Sequence, residues 1–116
     1  MDLSRLTPGL KGSADLLVGI EHTAPRVGSG RVGVLATPVM INLMEAAALD
    51  AVEHLLPSGH QSLGTRLDVS HVAATPLGMR VRATTASAGR DSGARIDQFY
   101  VKERARQFVG MGKQRI

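Results

Sequence analysis

The sequence predicts an α+β fold in which one long, mostly apolar helix lies against an antiparallel sheet. Three observations carry this. After Thr37-Pro38 the chain runs through Val39-Met40-Ile41-Asn42-Leu43-Met44-Glu45-Ala46-Ala47-Ala48 with few polar residues, and a helix apolar on most sides is a buried one. Beyond it, short segments alternate apolar and polar residues with turn signals between them. One more such segment precedes the helix. Strands linked by short turns pair antiparallel, and a single buried helix then covers one face of their sheet.

Taken in order, Ala14, Leu16, Val18 and Ile20 alternate with Asp15, Leu17 and Gly19, which predicts a first strand with one apolar face. Glu21 to Gly30, with Pro25, Gly28 and Gly30, reads as a loop. Thr37 is placed as the helix N-cap, with Pro38 at the first helical position, where its missing N–H costs nothing. Pro57-Ser58-Gly59 stops the helix near Leu56. Leu67, Val69 and His71 share one face of the next strand, at 65–71. Ala73 to Gly78 is a turn, and Met79, Val81 and Ala83 alternate with Arg80, Arg82 and Thr84 in another strand. Arg90-Asp91-Ser92-Gly93 is a hairpin signal, followed by strands around 96–103 and 107–113, with a bulge across 97–100. That makes five strands and one helix.

At 116 residues the chain can enclose a core, and a dimer interface would add to it. Phe99, Tyr100 and Phe108 are its only aromatics, so the core must come from Val, Leu, Ile, Ala and Met. The lack of cysteine excludes a disulfide framework, a thiolate metal site and a cysteine nucleophile, and fits a cytoplasmic protein. No signal peptide is expected from Met1-Asp2-Leu3-Ser4-Arg5. The apolar run 32–49 is broken by Thr37-Pro38, Asn42 and Glu45, whereas a membrane span needs about 20 apolar residues. The net charge of +4 is uneven: residues 1–60 hold four basic and six acidic side chains, residues 61–116 ten and four. The basic half could attract a polyanion, but with so few aromatics to stack bases, nucleic acid is not the expected partner.

Gly28-Ser29-Gly30-Arg31-Val32-Gly33 satisfies G-x-G-x-x-G, but no strand runs into it and no helix opens on it, so it reads as a flexible loop. There is no G-x-S-x-G, phosphate-binding loop or H-E-x-x-H, and His22, His54, His60 and His71 lack the close spacing of metal ligands. Glu45 shares a helix side with Asn42, Leu49 and Glu53 at about 100° per residue, so a solvated stripe explains it. His71 fits a satisfied core histidine, and Thr37 fits a helix cap. Taken alone, each of these plain readings is the stronger one. Together the three could form a site, because a helix N-terminus favours a developing oxyanion while a carboxylate, hydroxyl and imidazole supply nucleophile and base.

Several strings resemble the fluoroacetyl-CoA thioesterase-like family: Glu21-His22-Thr23-Ala24-Pro25, Val27-Gly28-Ser29-Gly30, Val34-Leu35-Ala36-Thr37-Pro38, Leu43-Met44-Glu45-Ala46-Ala47, Leu63-Gly64-Thr65 and His71 to Met79. The resemblance covers roughly residues 8–112 in both identity and interval. It implies the hotdog fold for residues 1–116 as one domain, a five-stranded antiparallel sheet wrapped around one long central helix, with active sites at the interface of a homodimer that could pair further into a tetramer. It also implies hydrolysis of an acyl-CoA thioester by Thr37, Glu45 and His71, with Glu45 attacking the carbonyl or orienting water and His71 shuttling the proton. Gly64, Pro38 and Thr65 would contact the substrate. No cofactor or metal is expected, since a thiolate leaves readily and CoA is part of the substrate, and neither nucleic acid nor membrane is an expected partner.

Two departures from the family bear on this. The loop 28–33 has none of the aromatic residues that form a lid in fluoroacetyl-specific members, which argues against fluoroacetyl-CoA as substrate. In the closing strand, Gly110-Met111-Gly112-Lys113-Gln114 puts Gln114 where the family carries a histidine, so a reduced contribution of that strand to CoA binding is expected. Arg80, Arg82, Lys102, Arg104 and Arg106 are candidates for the CoA phosphates. The alternative function is a non-catalytic acyl-CoA-binding or regulatory hotdog module. Enoyl-CoA hydration or dehydration is a related enzyme reading, and nucleic-acid binding through the basic half would be steeply salt-dependent.

Overall fold

The computed structural model describes residues 9–59, 66–91, 94–103 and 107–115. Among them, β1 (Lys11–Leu17), α1 (Ala24–Val27), α2 (Thr37–Val52), β2 (Arg66–His71), β3 (Arg80–Asp91), β4 (Ala94–Glu103) and β5 (Gln107–Arg115) follow one another in the chain. The five strands form one sheet in the order β1-β3-β4-β5-β2, with every neighbouring pair antiparallel. β1 and β2 are its edges.

Helix α2 packs against β1, β3 and β4. Its buried residues are Met40, Leu43, Met44, Ala47, Ala48, Ala51 and Val52, the three- and four-residue spacing of one helix face. Met40, Leu43, Met44, Ala47 and Ala48 meet Val81 and Ala83 of β3, Val109 of β5, and Val18 and Leu35 from the connections. Asn42, Ala46, Leu49 and Asp50 are exposed on the far side of the helix.

The first strand starts and stops earlier than its apolar alternation suggests. Gly12, Ala14 and Leu16 face inward, Val18 is buried beyond the strand, and Ile20 sits in a 3₁₀ turn, 53% exposed. Gly12 explains the early start: a Cβ there would collide with the Ala47 carbonyl and lie 2.6 Å from the Ala51 nitrogen, so β1 crosses α2 at backbone contact. The predicted loop at 21–30 contains the end of that turn and the short helix α1, closed by Gly28 at φ +84°. Pro25 and Gly28, read as breakers, here start and cap a helical turn.

At α2 the N-cap is Ala36, in an extended conformation and without a side-chain cap, so Thr37 is the first helical residue rather than the cap. The helix ends at Val52 and a 3₁₀ turn continues it to Leu55. β3 runs beyond the predicted 79–84. The sheet bulges by register shifts between Ser87 and Gly89 on β3 and between Val101 and Lys102 on β4, on either side of the predicted 97–100.

Candidate functional site

The start of α2 is held by a short extended segment fixed from both sides. Ala24 N–H donates to the Val34 carbonyl (3.0 Å), Leu35 N–H to the Thr75 carbonyl (2.9 Å) and Ala36 N–H to the His22 carbonyl (2.9 Å). His22 is itself oriented by its Nδ1, which accepts from Gly19 N–H at 2.9 Å. Pinned this way, the chain turns into the helix at Thr37. His71 comes from the last position of β2, and Val72 N–H donates to the Val109 carbonyl at 2.7 Å directly beyond it.

The two elements bring Thr37 Oγ1 to 2.8 Å from His71 Nδ1. Because Ala36 is the cap, the threonine hydroxyl is free of capping duty and available to the imidazole. His71 Nε2 is buried and has no hydrogen-bond partner among the described residues. Burial pushes the His71 imidazole below the usual histidine range, and the neighbouring Ala73 backbone offsets part of that without closing a hydrogen bond to Nε2. At neutral pH the ring is therefore neutral and able to accept a proton. The oxyanion-binding capacity of the helix start is narrower than a generic N-terminus offers. Pro38 has no N–H, and the Val39 and Met40 N–H groups donate to the Ala36 carbonyl at 3.1 and 3.0 Å. Thr37 N–H remains without an acceptor among the described residues.

This pair lies in a cleft of about 330 Å³ lined by Ala24, Ser29–Val32, Val34, Leu35, Thr37 and 71–74. Glu45 is elsewhere. It is half-buried, does not line the cleft, and makes no hydrogen bond or ion pair among the described residues. Eight residues of helix separate it from Thr37, a rise of about 12 Å and a turn of about 80°. Pro38 is exposed beside Thr37. Gly64 and Thr65 lie outside the described residues, as do Arg104 and Arg106. Arg82 is committed to a bidentate pair with Asp15, at 2.7 and 3.1 Å across β1 and β3. Three strand spacings, about 14 Å, separate β3 from β2 and its His71.

The Gly28–Gly33 loop follows a helical turn and leads into isolated β-bridges, not the strand–turn–helix of a dinucleotide site. Among the described residues no helix is long and apolar enough to cross a membrane.

The family described as FlK, fluoroacetyl-CoA-specific thioesterase, matches residues 18–114. This chain belongs to that family. The fluoroacetyl-CoA-specific thioesterase family is one of acyl-CoA thioester hydrolases, and a curated fluoroacetyl-CoA thioesterase from Streptantibioticus cattleyicolor is 47% identical over 51 residues. That match covers 44% of this chain and only 37% of the relative's length. A solved structure of the fluoroacetyl-CoA thioesterase FlK superposes with TM-score 0.85 at 26% identity, covering 94% of this chain and 84% of that one. An FlK variant in complex with fluoroacetate and CoA gives TM-score 0.85 at 26% identity, over 94% and 91%. A hot-dog-like protein from Thermanaerovibrio acidaminovorans gives TM-score 0.86 at 21% identity, over 99% and 85%, and shows the hotdog fold.

Within this family framework, sequence reading counted Arg31 only as part of a lid-less loop, whereas it lines the cleft. A lone arginine between Gly30 and Gly33, just upstream of the Thr37-Pro38 helix start, is the signal that could have identified it.

Proposed function

We propose that this protein hydrolyses an acyl-CoA thioester in a homodimer, with Thr37 and His71 of one subunit working against Glu45 of the partner subunit. The observation that carries the reading is the 2.8 Å contact between Thr37 Oγ1 and a neutral, half-buried His71 at the start of a helix, inside a cleft. Family membership supports the substrate class.

The chemistry follows from the placement. The thioester carbonyl oxygen accepts from Thr37 N–H and sits at the positive end of the α2 dipole, where its developing negative charge is stabilised. Water attacks the carbonyl carbon and gives up a proton. The Thr37 hydroxyl, hydrogen-bonded to His71 Nδ1, passes that proton to the imidazole. The tetrahedral intermediate collapses with cleavage of the C–S bond, and His71 returns the proton to the departing CoA sulfur. Free acid and CoA result, and the enzyme is unchanged.

A carboxylate to orient the water is the missing part, and Glu45 stands about 12 Å along the helix axis from its own Thr37 and does not line the cleft. A second copy related by a two-fold axis, with the α2 helices side by side and antiparallel, would bring each Glu45 to the other's helix start. A two-fold interface makes such exchanges reciprocal. The exposed Asn42, Ala46 and Leu49 face of α2, and the free edge of β2 with Leu67 39% exposed, favour such pairing.

The test is thiol release from a panel of short, branched and aryl acyl-CoAs, followed by mixing of two inactive variants. Thr37→Val and Glu45→Ala proteins, unfolded and refolded together, form heterodimers in which one site of two has both groups intact. Random pairing then restores about a quarter of wild-type turnover. Absence of thiol release from every acyl-CoA tested, by a folded dimer that binds CoA, would instead establish the binding-module alternative.

A further inference from the structure

We infer that Arg31 makes this cleft selective for acyl groups that carry a carboxylate at their far end, the half-thioesters of short dicarboxylic acids. The inference rests on the acyl-CoA reading above and adds the chemistry of the acyl group. Arg31 lines the same cleft as Thr37 and His71, and among the described residues no carboxylate lines it. Its guanidinium, a planar fork of N–H donors, makes no hydrogen bond or ion pair among the described residues. The same lining includes the apolar side chains of Val32, Val34, Leu35 and Val72. Methylene groups suit such walls, and an anion suits their cationic end.

The other anions available are the CoA phosphates, and reach separates the two. The extended pantetheine arm sets the diphosphate about 15 Å from the thioester sulfur, at the ~3.5 Å that three chain bonds span. A cleft of about 330 Å³ holds a short acyl chain with room to spare. With the carbonyl at Thr37, a guanidinium on the same small cleft meets the end of a short acyl chain. Bidentate N–H···O pairing then gives orientation as well as affinity.

The experiment compares two non-hydrolysable thioethers of equal chain length and identical CoA, S-butyl-CoA and S-(3-carboxypropyl)-CoA, by titration calorimetry. Wild type, Arg31→Gln and Arg31→Glu are compared, with thermal melts to check folding. Wild type is expected to bind the carboxylated ligand about tenfold to a hundredfold more tightly, the range of a charge-assisted hydrogen bond. Arg31→Gln should bring that ratio close to one, and Arg31→Glu should invert it. Equal binding of both ligands by wild type, or a ratio that survives Arg31→Gln, overturns the inference. Equal weakening of both ligands by Arg31→Gln overturns it too, assigning the cation to the CoA phosphates. Failure of folded protein to bind either thioether would sink the acyl-CoA reading itself, and the Arg31 assignment with it.

Discussion

Replacing Thr37 with valine removes one hydroxyl and almost no volume, and keeps a β-branched residue at the first helical position. The 2.8 Å contact to His71 Nδ1 disappears. Because His71 Nε2 already has no partner among the described residues, the imidazole is left with neither nitrogen bonded within the chain. An unpaired buried polar group costs about 1–3 kcal/mol. Thr37 is exposed, so water can reach Nδ1 and the stability loss should fall at the low end, about 1 kcal/mol. Turnover should suffer more, because the hydroxyl is on the proton path: a loss of about a hundredfold to a thousandfold, as for other single positioned hydrogen-bonding groups in hydrolytic sites. Thr37→Ser retains the hydroxyl and should keep most of the rate. Thiol release under single-turnover conditions, paired with thermal melts, separates the two effects. A cycle with His71→Ala tests the coupling, because groups that act as one unit give a double variant little worse than either single one. A Thr37→Val enzyme within a few fold of wild type, or losses that simply multiply, would refute the dyad.

Four further outcomes are expected. Because burial holds the His71 pKa below the ordinary histidine value of about 6.5, the acid limb of the kcat–pH profile should have its midpoint below about 6.5. In the window between the lowered native value and the unfolded value near 6.5, the unfolded state binds more protons; stability therefore rises with pH there and falls on acidification, and urea titrations of His71→Asn should show that slope flattened. Gly12→Ala should lower stability by about 1–3 kcal/mol, as an overpacked contact does, and the melting temperature by about 4–8 °C per kcal/mol, because its Cβ would meet helix backbone rather than a movable side chain. Arg82→Gln should leave KM for acyl-CoA within about twofold, the small effect expected of an exposed ion pair away from the cleft, as Arg82 is engaged by Asp15 on the outer sheet face.

The helix was legible because burial writes a period into sequence: Met40, Leu43, Met44, Ala47, Ala48, Ala51 and Val52 repeat at three and four residues. Strand β2 and the hairpin side of the sheet were legible by alternation and turn residues. Two local signals misled for the same reason, that one residue type serves opposite ends. Pro25 and Gly28 read as breakers yet bound a helical turn, and Thr37 read as a cap although Ala36 takes that place. Gly12 had no apolar side chain to report an inward-facing strand position, because a helix backbone occupies the space a side chain would need.

Convergence of the site is a different kind of information. The Thr37–His71 contact joins residues 34 apart in the chain and depends on three backbone hydrogen bonds to residues 34–36 that no local pattern encodes. Resemblance could point to both residues without saying which nitrogen faces the hydroxyl. Glu45 shows the converse. The constellation names three side chains, yet two of them ride one rigid helix with about 12 Å of rise between them. On the proposed reading the third comes from the partner's helix, and the described chain has no second helix of that length to offer. Catalysis by this set of residues and dimerisation are therefore one prediction: a variant that holds the chain monomeric while it stays folded should lose turnover with Thr37 and His71 still in contact.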